Sequence, residues 1–344
     1  MNYLSGDMHP ATELLPISRT AQAKAFAHRS RSVLLFMTPL PELVLALGFG
    51  LIALILGQLY DLDMVFPASN ALQFTGMSYS VPLSMIFALG LFMILTKRKM
   101  RLTYYLVAAL SYGIILVAHF NVKMWMNVVN PWRWDAFYWS GDQAVRPLID
   151  VSFAVHNAVG AVVPAENHLY LFAFLAMFGC SIFVHSMRKF IVFRQVMFTA
   201  MLVHVLGALS YLIMPAVGPF IYEAGNNVLE TARQEHMYAS YQALMVGGRP
   251  WIASEGSQYL FAAIAAMPSL HVASSAVFVY FAWKHEPWLA YCYLPLFVFI
   301  MFEAMATRWH YFADVVAGLG LTGLAIVIST AIFRPIEAHH AKLG

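Results

Sequence analysis

The sequence has few charged residues. Only 11% of its 344 residues are Asp, Glu, Lys or Arg, whereas a soluble domain carries about 25%. Hydrophobic residues make up 61%, and they form continuous runs that are too long for the strands of a membrane barrel. We therefore predict an all-α polytopic membrane helix bundle. The formal net charge of only +3 gives no sign of a nucleic-acid partner.

Cysteine and closely spaced histidines are also scarce. The two cysteines, Cys180 and Cys292, lie inside apolar runs without motif spacing, which predicts buried small hydrophobic residues rather than a disulfide or a metal site. We find no histidine cluster of the kind that ligates metal ions, so we expect no metal and no other cofactor. The first 30 residues lack the short apolar core and the cleavage signal of a signal peptide.

The apolar runs predict about eight membrane spans in three parts. Residues 1–101 form a tail and two accessory spans, 102–333 a six-span catalytic core, and 334–344 a cytoplasmic tail. Two long polar segments, 121–167 and 215–266, interrupt the core. The first is rich in tryptophan, which prefers the membrane boundary, so we predict interfacial helices there. The second is predicted to be loop and a short amphipathic helix.

Positive charge predicts the orientation of these spans. Fourteen of the twenty Lys and Arg residues fall on the side of the termini, which the positive-inside rule assigns to the cytoplasm. Both long segments and residues 308–314 then face outward, and we expect the plasma (inner) membrane. The six outward cations are Lys123, Arg133, Arg146, Arg233, Arg249 and Arg308.

The first candidate site lies in residues 308–314. His310 and Asp314 are four residues apart and so share one helix face. A carboxylate costs roughly 2.5–3.5 kcal/mol at the bilayer centre, and a nearby imidazole is a natural partner for it. This pair has the form of a nucleophile or base with its orienting acid. It also fits a histidine and an aspartate that merely end a loop in water.

A second candidate site lies in residues 267–273. Pro268 suits the first turn of a helix, and Ser269 with the free backbone N–H groups of an outward helix N-terminus can bind an anion. His271 falls in that same turn. Taken alone, the stretch also fits an ordinary helix start. Both stretches, however, are predicted on one membrane face, and each offers a histidine at an outer helix end.

The two stretches together resemble the type 2 phosphatidic acid phosphatase superfamily. The matching residues are Pro268-Ser269-Leu270-His271 and His310-Tyr311-Phe312-Ala313-Asp314. The residues of these two motifs are most similar to those of the phosphotransferase branch, the inositol phosphorylceramide synthases and their bacterial relatives. The segment from Tyr211 to Pro219 is similar to a proline-rich motif of that branch.

The resemblance implies a role for each residue. His310 would attack a lipid-linked phosphate and become a phosphohistidine, while Asp314 would hold its imidazole in the right tautomer. His271 would protonate the leaving oxygen and then deprotonate the acceptor. Ser269 and Arg308 would bind the phosphate oxygens.

The chain departs from the phosphatase branch in its cations. That branch has an arginine six residues before the nucleophilic histidine, where this chain has Ala304. It also has a lysine seven residues before an Arg-Pro pair, where this chain has Trp139 or Gln242. Arg308 would then replace these cations, and further candidates for headgroup binding are Lys123, Arg146 and Arg249, together with Asp135 and Asp142. The two aspartates equally fit solvated interfacial acids.

The predicted function is transfer of a phospho-headgroup from a lipid-linked donor to a lipid or sugar acceptor within a membrane of lipids. A lipid phosphate or pyrophosphate phosphatase would use the same covalent step with water as acceptor. A transporter in which His310 and Asp314 relay protons is the alternative from another class. Glu303 fits either an intramembrane functional acid or a partner of Arg308.

Overall fold

The chain folds into a bundle of α-helices. The computed structural model describes residues 40–73, 80–96, 99–163 and 166–340, and these contain eleven α-helices and no strand. The predicted all-α class is therefore confirmed. The helices are α1 (Pro41–Tyr60), α2 (Ser80–Leu95), α3 (Lys99–Val129), α4 (Asp135–Ala144), α5 (Arg146–Gly160), α6 (Glu166–Arg188), α7 (Phe190–Ile213), α8 (Val228–Tyr259), α9 (Leu270–His285), α10 (Pro287–Ala306) and α11 (Phe312–His340).

Six of these helices are long and apolar enough to cross a membrane, so the protein is an integral membrane protein. They are α1, α3, α6, α7, α10 and α11. The two other predicted spans, α2 and α9, are helices of 16 residues each. At 1.5 Å per residue each rises about 24 Å, less than the roughly 30 Å of the hydrocarbon core. The structure thus shows six candidate spans and two shorter helices where the sequence predicted eight spans.

Helix α7 is the centre of the bundle. Buried residues make up 72% of its membrane window, against 22–44% for the other candidate spans. One face packs with α6, α9 and α11, and another with α1 and α3. A buried ion pair fastens α1 to α7, since Arg194 Nε donates to Glu42 Oε1 at 2.8 Å and Nη2 donates to Oε2 at 2.9 Å.

The polar segments differ from the prediction in length. Helix α3 continues to Val129, so the first segment is shorter than predicted, and α4 and α5 follow it. In the second segment α8 has 32 residues rather than a few, with a kink at Gly248, where φ is 54°. Helix α11 continues through Pro335 to His340. Cys180 and Cys292 are free and exposed, not buried. The division into accessory, core and tail parts stays a prediction, and the predicted N-terminal tail, 1–31, lies outside the described residues.

Candidate active site

The two candidate stretches meet at the start of α9 and α11. The Ser269 N–H donates to the carbonyl oxygen of Asp314 at 3.0 Å. Gly318, one turn further along α11, lets the helices approach, because a Cβ at Gly318 would lie 2.6 Å from the Ser269 carbonyl oxygen. Thr322 continues the contact by donating its hydroxyl to the carbonyl oxygen of Ala273 at 2.8 Å. Small and polar residues on α11 therefore fix the α9 N-terminus beside the 307–311 turn.

The imidazole of His310 has one defined tautomer. Its Nδ1 lies 2.8 Å from the carbonyl oxygen of Ala266, and a carbonyl oxygen can only accept a hydrogen bond. Nδ1 therefore carries the proton, and Nε2 keeps its lone pair in the neutral ring. A nitrogen with a lone pair on a fixed ring is the arrangement that a nucleophile needs.

Burial keeps His310 neutral. The side chain is 11% exposed, and burial lowers its pKa to about 3, with the hydrogen bond to Ala266 opposing and the charge of Lys123 adding to the fall. Near pH 7 the ring is consequently unprotonated, the form in which an imidazole attacks.

Asp314 lies behind His310 but is not its closest acceptor. Its Oδ2 is 3.4 Å from His310 Nδ1, longer than an ordinary hydrogen bond, and accepts the Tyr311 N–H at 2.8 Å. Its Oδ1 has no hydrogen-bond partner within the described part of the chain. The side chain is fully buried, and it lies behind a ring that the Ala266 carbonyl oxygen orients.

His271 lies in the first turn of α9, close enough to His310 and Lys123 for their charges to act on it. Its ring packs edge-on against Tyr170 and Phe174 of α6, with centroids 5.1 and 4.7 Å away. The structure therefore brings together the two histidine stretches that the sequence singled out, with the charge of Lys123 acting on both imidazoles.

Arg308 is fully buried next to His310. Its backbone has φ 59°, a left-handed conformation that costs a non-glycine residue roughly 1–3 kcal/mol. Nη2 donates to Asp142 Oδ2 at 3.1 Å, and the guanidinium lies 5.3 Å from the centre of the Trp139 ring. Nε lies 3.4 Å from Glu223 Oε2, and neither Nε nor Nη1 forms a hydrogen bond with any described residue. A buried cation whose Nη1 makes no such bond suits a phosphate ligand.

Ser269 offers a second group of this kind. It precedes α9 as its N-cap but makes no side-chain capping bond. The residue is fully buried, and its hydroxyl has no partner among the residues that the structure describes. Buried polar atoms are normally paired, and exceptions concentrate at functional sites.

Helix α4 covers the 307–311 turn. Asp142 accepts the Phe312 N–H at 2.8 Å in addition to Arg308, and burial raises the pKa of Asp142 although both of these donors oppose the rise. Tyr138 packs on Tyr311 at 5.6 Å between ring centroids. Both oxygens of Asp142 are thus bound by the protein, which assigns it to positioning Arg308 and α4.

Asp135, at the start of α4, is saturated with donors. Its Oδ1 accepts the N–H groups of Val217 and Gly218 at 2.9 and 3.0 Å and the Tyr311 hydroxyl at 3.0 Å. Its Oδ2 accepts from Arg133 at 3.0 Å. Asp135 was predicted as a candidate for headgroup binding. In the structure both of its oxygens already accept hydrogen bonds that join three segments of the chain.

The two Arg-Pro arginines lie in different places. Arg146 donates to Glu223 at 2.9 Å, and Glu223 also lies 3.4 Å from Arg308 Nε. Arg146 therefore belongs to the cluster of charged residues around Arg308. That bond to Glu223 raises the pKa of Arg146. Arg249 instead pairs with Asp61 and Asp63 on the loop after α1, and the structure gives it no contact with the cluster in the described ranges.

Glu303 pairs with a histidine rather than with Arg308. His156 Nδ1, from α5, donates to both carboxylate oxygens at 3.0 and 2.9 Å. This buried pair joins α5 to α10 below the site. The predicted pairing of Glu303 with Arg308 is therefore wrong, and no local pattern in the sequence indicated His156 as its partner.

Sequence reasoning missed two participants. The Ala266 carbonyl orients His310, and a backbone oxygen leaves no mark in the residue pattern. Glu223 bridges Arg146 and Arg308, and nothing in the sequence distinguishes it from the other glutamates of the outward segment 215–266. Among the described residues, no group of three or more His, Cys, Asp or Glu is arranged to hold a metal ion.

Comparison with known proteins supports the family. Searches of curated proteins and of solved structures returned no match. A family model described as the PAP2 superfamily matches residues 142–328, more than half of the chain. The match begins at Asp142 and includes both histidine stretches. The chain belongs to the PAP2 superfamily.

Proposed function

We propose that this protein is a membrane phosphotransferase that moves a phospho-headgroup from a lipid-linked donor to a lipid or sugar acceptor. Membership of the PAP2 superfamily supports phosphoryl-transfer chemistry on a lipid phosphate. The observation that carries the proposal is the fixed tautomer of His310, whose Nδ1 is bound to the Ala266 carbonyl oxygen, with the buried Arg308 two residues before it in the same turn.

The reaction proceeds in two displacements. His310 Nε2 forms a bond to phosphorus as the donor's P–O bond breaks, and His271 gives a proton to the leaving oxygen. His271 then takes the proton of the acceptor hydroxyl, whose oxygen attacks phosphorus as the P–N bond breaks. Arg308 and Ser269 donate to the phosphoryl oxygens, over which the negative charge is spread.

The cover formed by α4 favours transfer over hydrolysis. Asp142, Tyr138 and Trp139 all contact the segment 308–312, and the His310 residue is only 9% exposed. A site that limits water protects a reactive phosphohistidine from hydrolysis. A phosphatase of the same superfamily would use water as the acceptor and is the runner-up.

The finer assignments belong to the same proposal. The residues of the two histidine motifs support the inositol phosphorylceramide synthase-like branch. The distribution of Lys and Arg supports cytoplasmic termini and a site on the non-cytoplasmic face of the plasma (inner) membrane. Lys123 and Arg146 are the cations that we propose to contact a charged headgroup, whereas the contacts of Arg249 do not support that role.

The test uses purified protein in lipid nanodiscs with a panel of headgroup-labelled phospholipids and with lipid and sugar acceptors. Headgroup transfer to the acceptor is measured beside release to water of the free phospho-headgroup or of free phosphate. We expect transfer to exceed release and His310→Asn to lower it by at least about 10⁴-fold, as loss of a covalent nucleophile does. The matched control is His236→Asn, at an exposed histidine of α8. Release without transfer would make the protein a phosphatase, and full activity in His310→Asn would exclude both enzymes.

A further inference from the structure

A large apolar cavity lies between α2, α3, α6 and α7. Its volume is about 550 Å³, within the range of roughly 300–1,000 Å³ that small-molecule sites occupy. Leu89 and Phe92 of α2 form one wall, and Ala109 and Gly113 of α3 form another. None of the catalytic candidates lines this space.

The lining offers almost nothing for a polar ligand to bind. Its side chains are aliphatic or aromatic, and its hydroxyls belong to Tyr105 and Tyr112. The Tyr105 hydroxyl already donates to the Ile86 carbonyl oxygen at 3.3 Å, and that of Tyr112 contacts His204 Nε2 at 3.5 Å. A ligand that matches this lining is a hydrocarbon.

A row of contacting aromatic rings connects the wall of the cavity to the candidate active site. Phe174 contacts His271 at 4.7 Å between centroids and stacks on Phe178 at 6.5 Å. Phe178 lines the cavity and stacks on Tyr112 at 5.6 Å. One helical turn of α6 thus separates the His271 contact from the cavity wall.

The long direction of the cavity also points away from the site. Along α3 its lining runs from Leu116 back to Tyr105, about 17 Å of helix, while Lys123 beside His310 lies beyond the Leu116 end. A lipid with its phosphate at His310 would extend a chain in this same direction, into the membrane interior.

We propose that this cavity holds one hydrocarbon chain of the lipid whose phosphate His310 attacks. The inference rests on the proposed function, because that function places the phosphate at His310. Bilayer tails are as apolar as the lining, so the chain gains from fit to the cavity rather than from leaving water. The cavity therefore selects by shape, and a side chain that fills it excludes the lipid.

Gly113 gives a direct test, because a Cβ at this position meets no atom within 4 Å. Gly113→Phe directs a ring into the cavity without a backbone clash, and Gly113→Ala adds only a methyl group. Gly48→Phe is the matched control, since Gly48 on α1 is equally open and lies outside the lining. Size-exclusion chromatography and thermal unfolding in detergent establish that each variant is folded.

The probe is a phosphatidic acid with a diazirine on a palmitoyl chain, cross-linked to the protein in nanodiscs and mapped by mass spectrometry. We expect cross-links at lining residues of α3 and α6. Gly113→Phe should lower them at least about tenfold, because forcing a side chain into filled apolar space weakens packing by roughly five- to 150-fold. Gly113→Ala and Gly48→Phe should keep them.

Two results would overturn the inference. One is unchanged cross-linking of the lining in folded Gly113→Phe. The other is labelling spread evenly over bilayer-facing residues such as Leu59 and Phe87, which are 73% and 70% exposed. Neither result depends on turnover, so a failure of His310-dependent transfer would count against the proposed enzyme alone and is read separately.

Discussion

Replacement of Gly318 by alanine should damage the site from a distance. The added Cβ would lie 2.6 Å from the Ser269 carbonyl oxygen, whereas ordinary contacts begin at 3.4 Å. The α9 N-terminus and α11 must then separate by about 0.8 Å. Because the obstructing atom belongs to the backbone, no side-chain rotation relieves the clash.

The magnitude follows from two effects. Overpacking a close interface costs roughly 1–3 kcal/mol, so the unfolding temperature in detergent should fall by several degrees. A misplacement of about 1 Å can lower turnover about 10²-fold, and Ser269 moves with the helix start. We therefore expect a loss of about two orders of magnitude in kcat/KM for headgroup transfer.

Gly320→Ala supplies the control on the same helix. A Cβ there meets no atom within 4 Å, and alanine in a helix interior is favoured over glycine by roughly 0.5–1 kcal/mol. This variant should be as stable as the wild type or more so, with normal transfer. Equal unfolding temperatures and equal activities for the two variants would refute the close-approach argument.

Three further predictions concern other residues of the site. Ser269→Ala should lower kcat/KM about 10²–10³-fold, as loss of an oxyanion donor does, with little change in unfolding temperature; unchanged kinetics would remove Ser269 from phosphate binding. Asp135→Ala should lower the unfolding free energy by at least about 3 kcal/mol in chemical denaturation, since four donors lose their acceptor; a smaller loss would contradict its joining role. His310 resists protonation in the native state until about pH 3 but charges at its ordinary pKa of about 6.5 when unfolded. Stability should therefore fall as pH drops from 6.5 towards 3, and the unfolding temperature of His310→Gln should fall less steeply than that of the wild type. Identical slopes of unfolding temperature against pH for the two proteins would contradict this prediction.

The sequence predicted which residues meet but not how they are held. His271 and His310 could be paired because both lie at helix ends on one predicted membrane face. The acceptor for His310 could not be predicted, because it is the backbone of Ala266. Arg146 and Arg249 have the same local Arg-Pro pattern, and only the acids that fold against them distinguish the two, Glu223 for one and Asp61 with Asp63 for the other.

The extent of α3 shows why polar residues misled the sequence reading. Asn121 and Trp125 suggested an interfacial segment, yet the helix continues to Val129. Asn121 exchanges hydrogen bonds with the backbone of Val65 at 2.9 Å in both directions, and Trp125 is fully buried. Tertiary contacts supply what water would otherwise provide, and a single-sequence pattern does not contain them.

The left-handed backbone of Arg308 has a consequence for redesign of acceptor preference. Three hydrogen bonds with residues 220–234 hold the turn that contains Arg308. The Phe220 N–H donates to the Arg308 carbonyl oxygen, the Gln234 amide donates to the Thr307 carbonyl oxygen, and the Trp309 indole donates to Glu230. Without them the strained arginine would relax and carry its charge elsewhere. Engineers who graft new loops should therefore leave 220–234 intact, because this segment holds the cation in place.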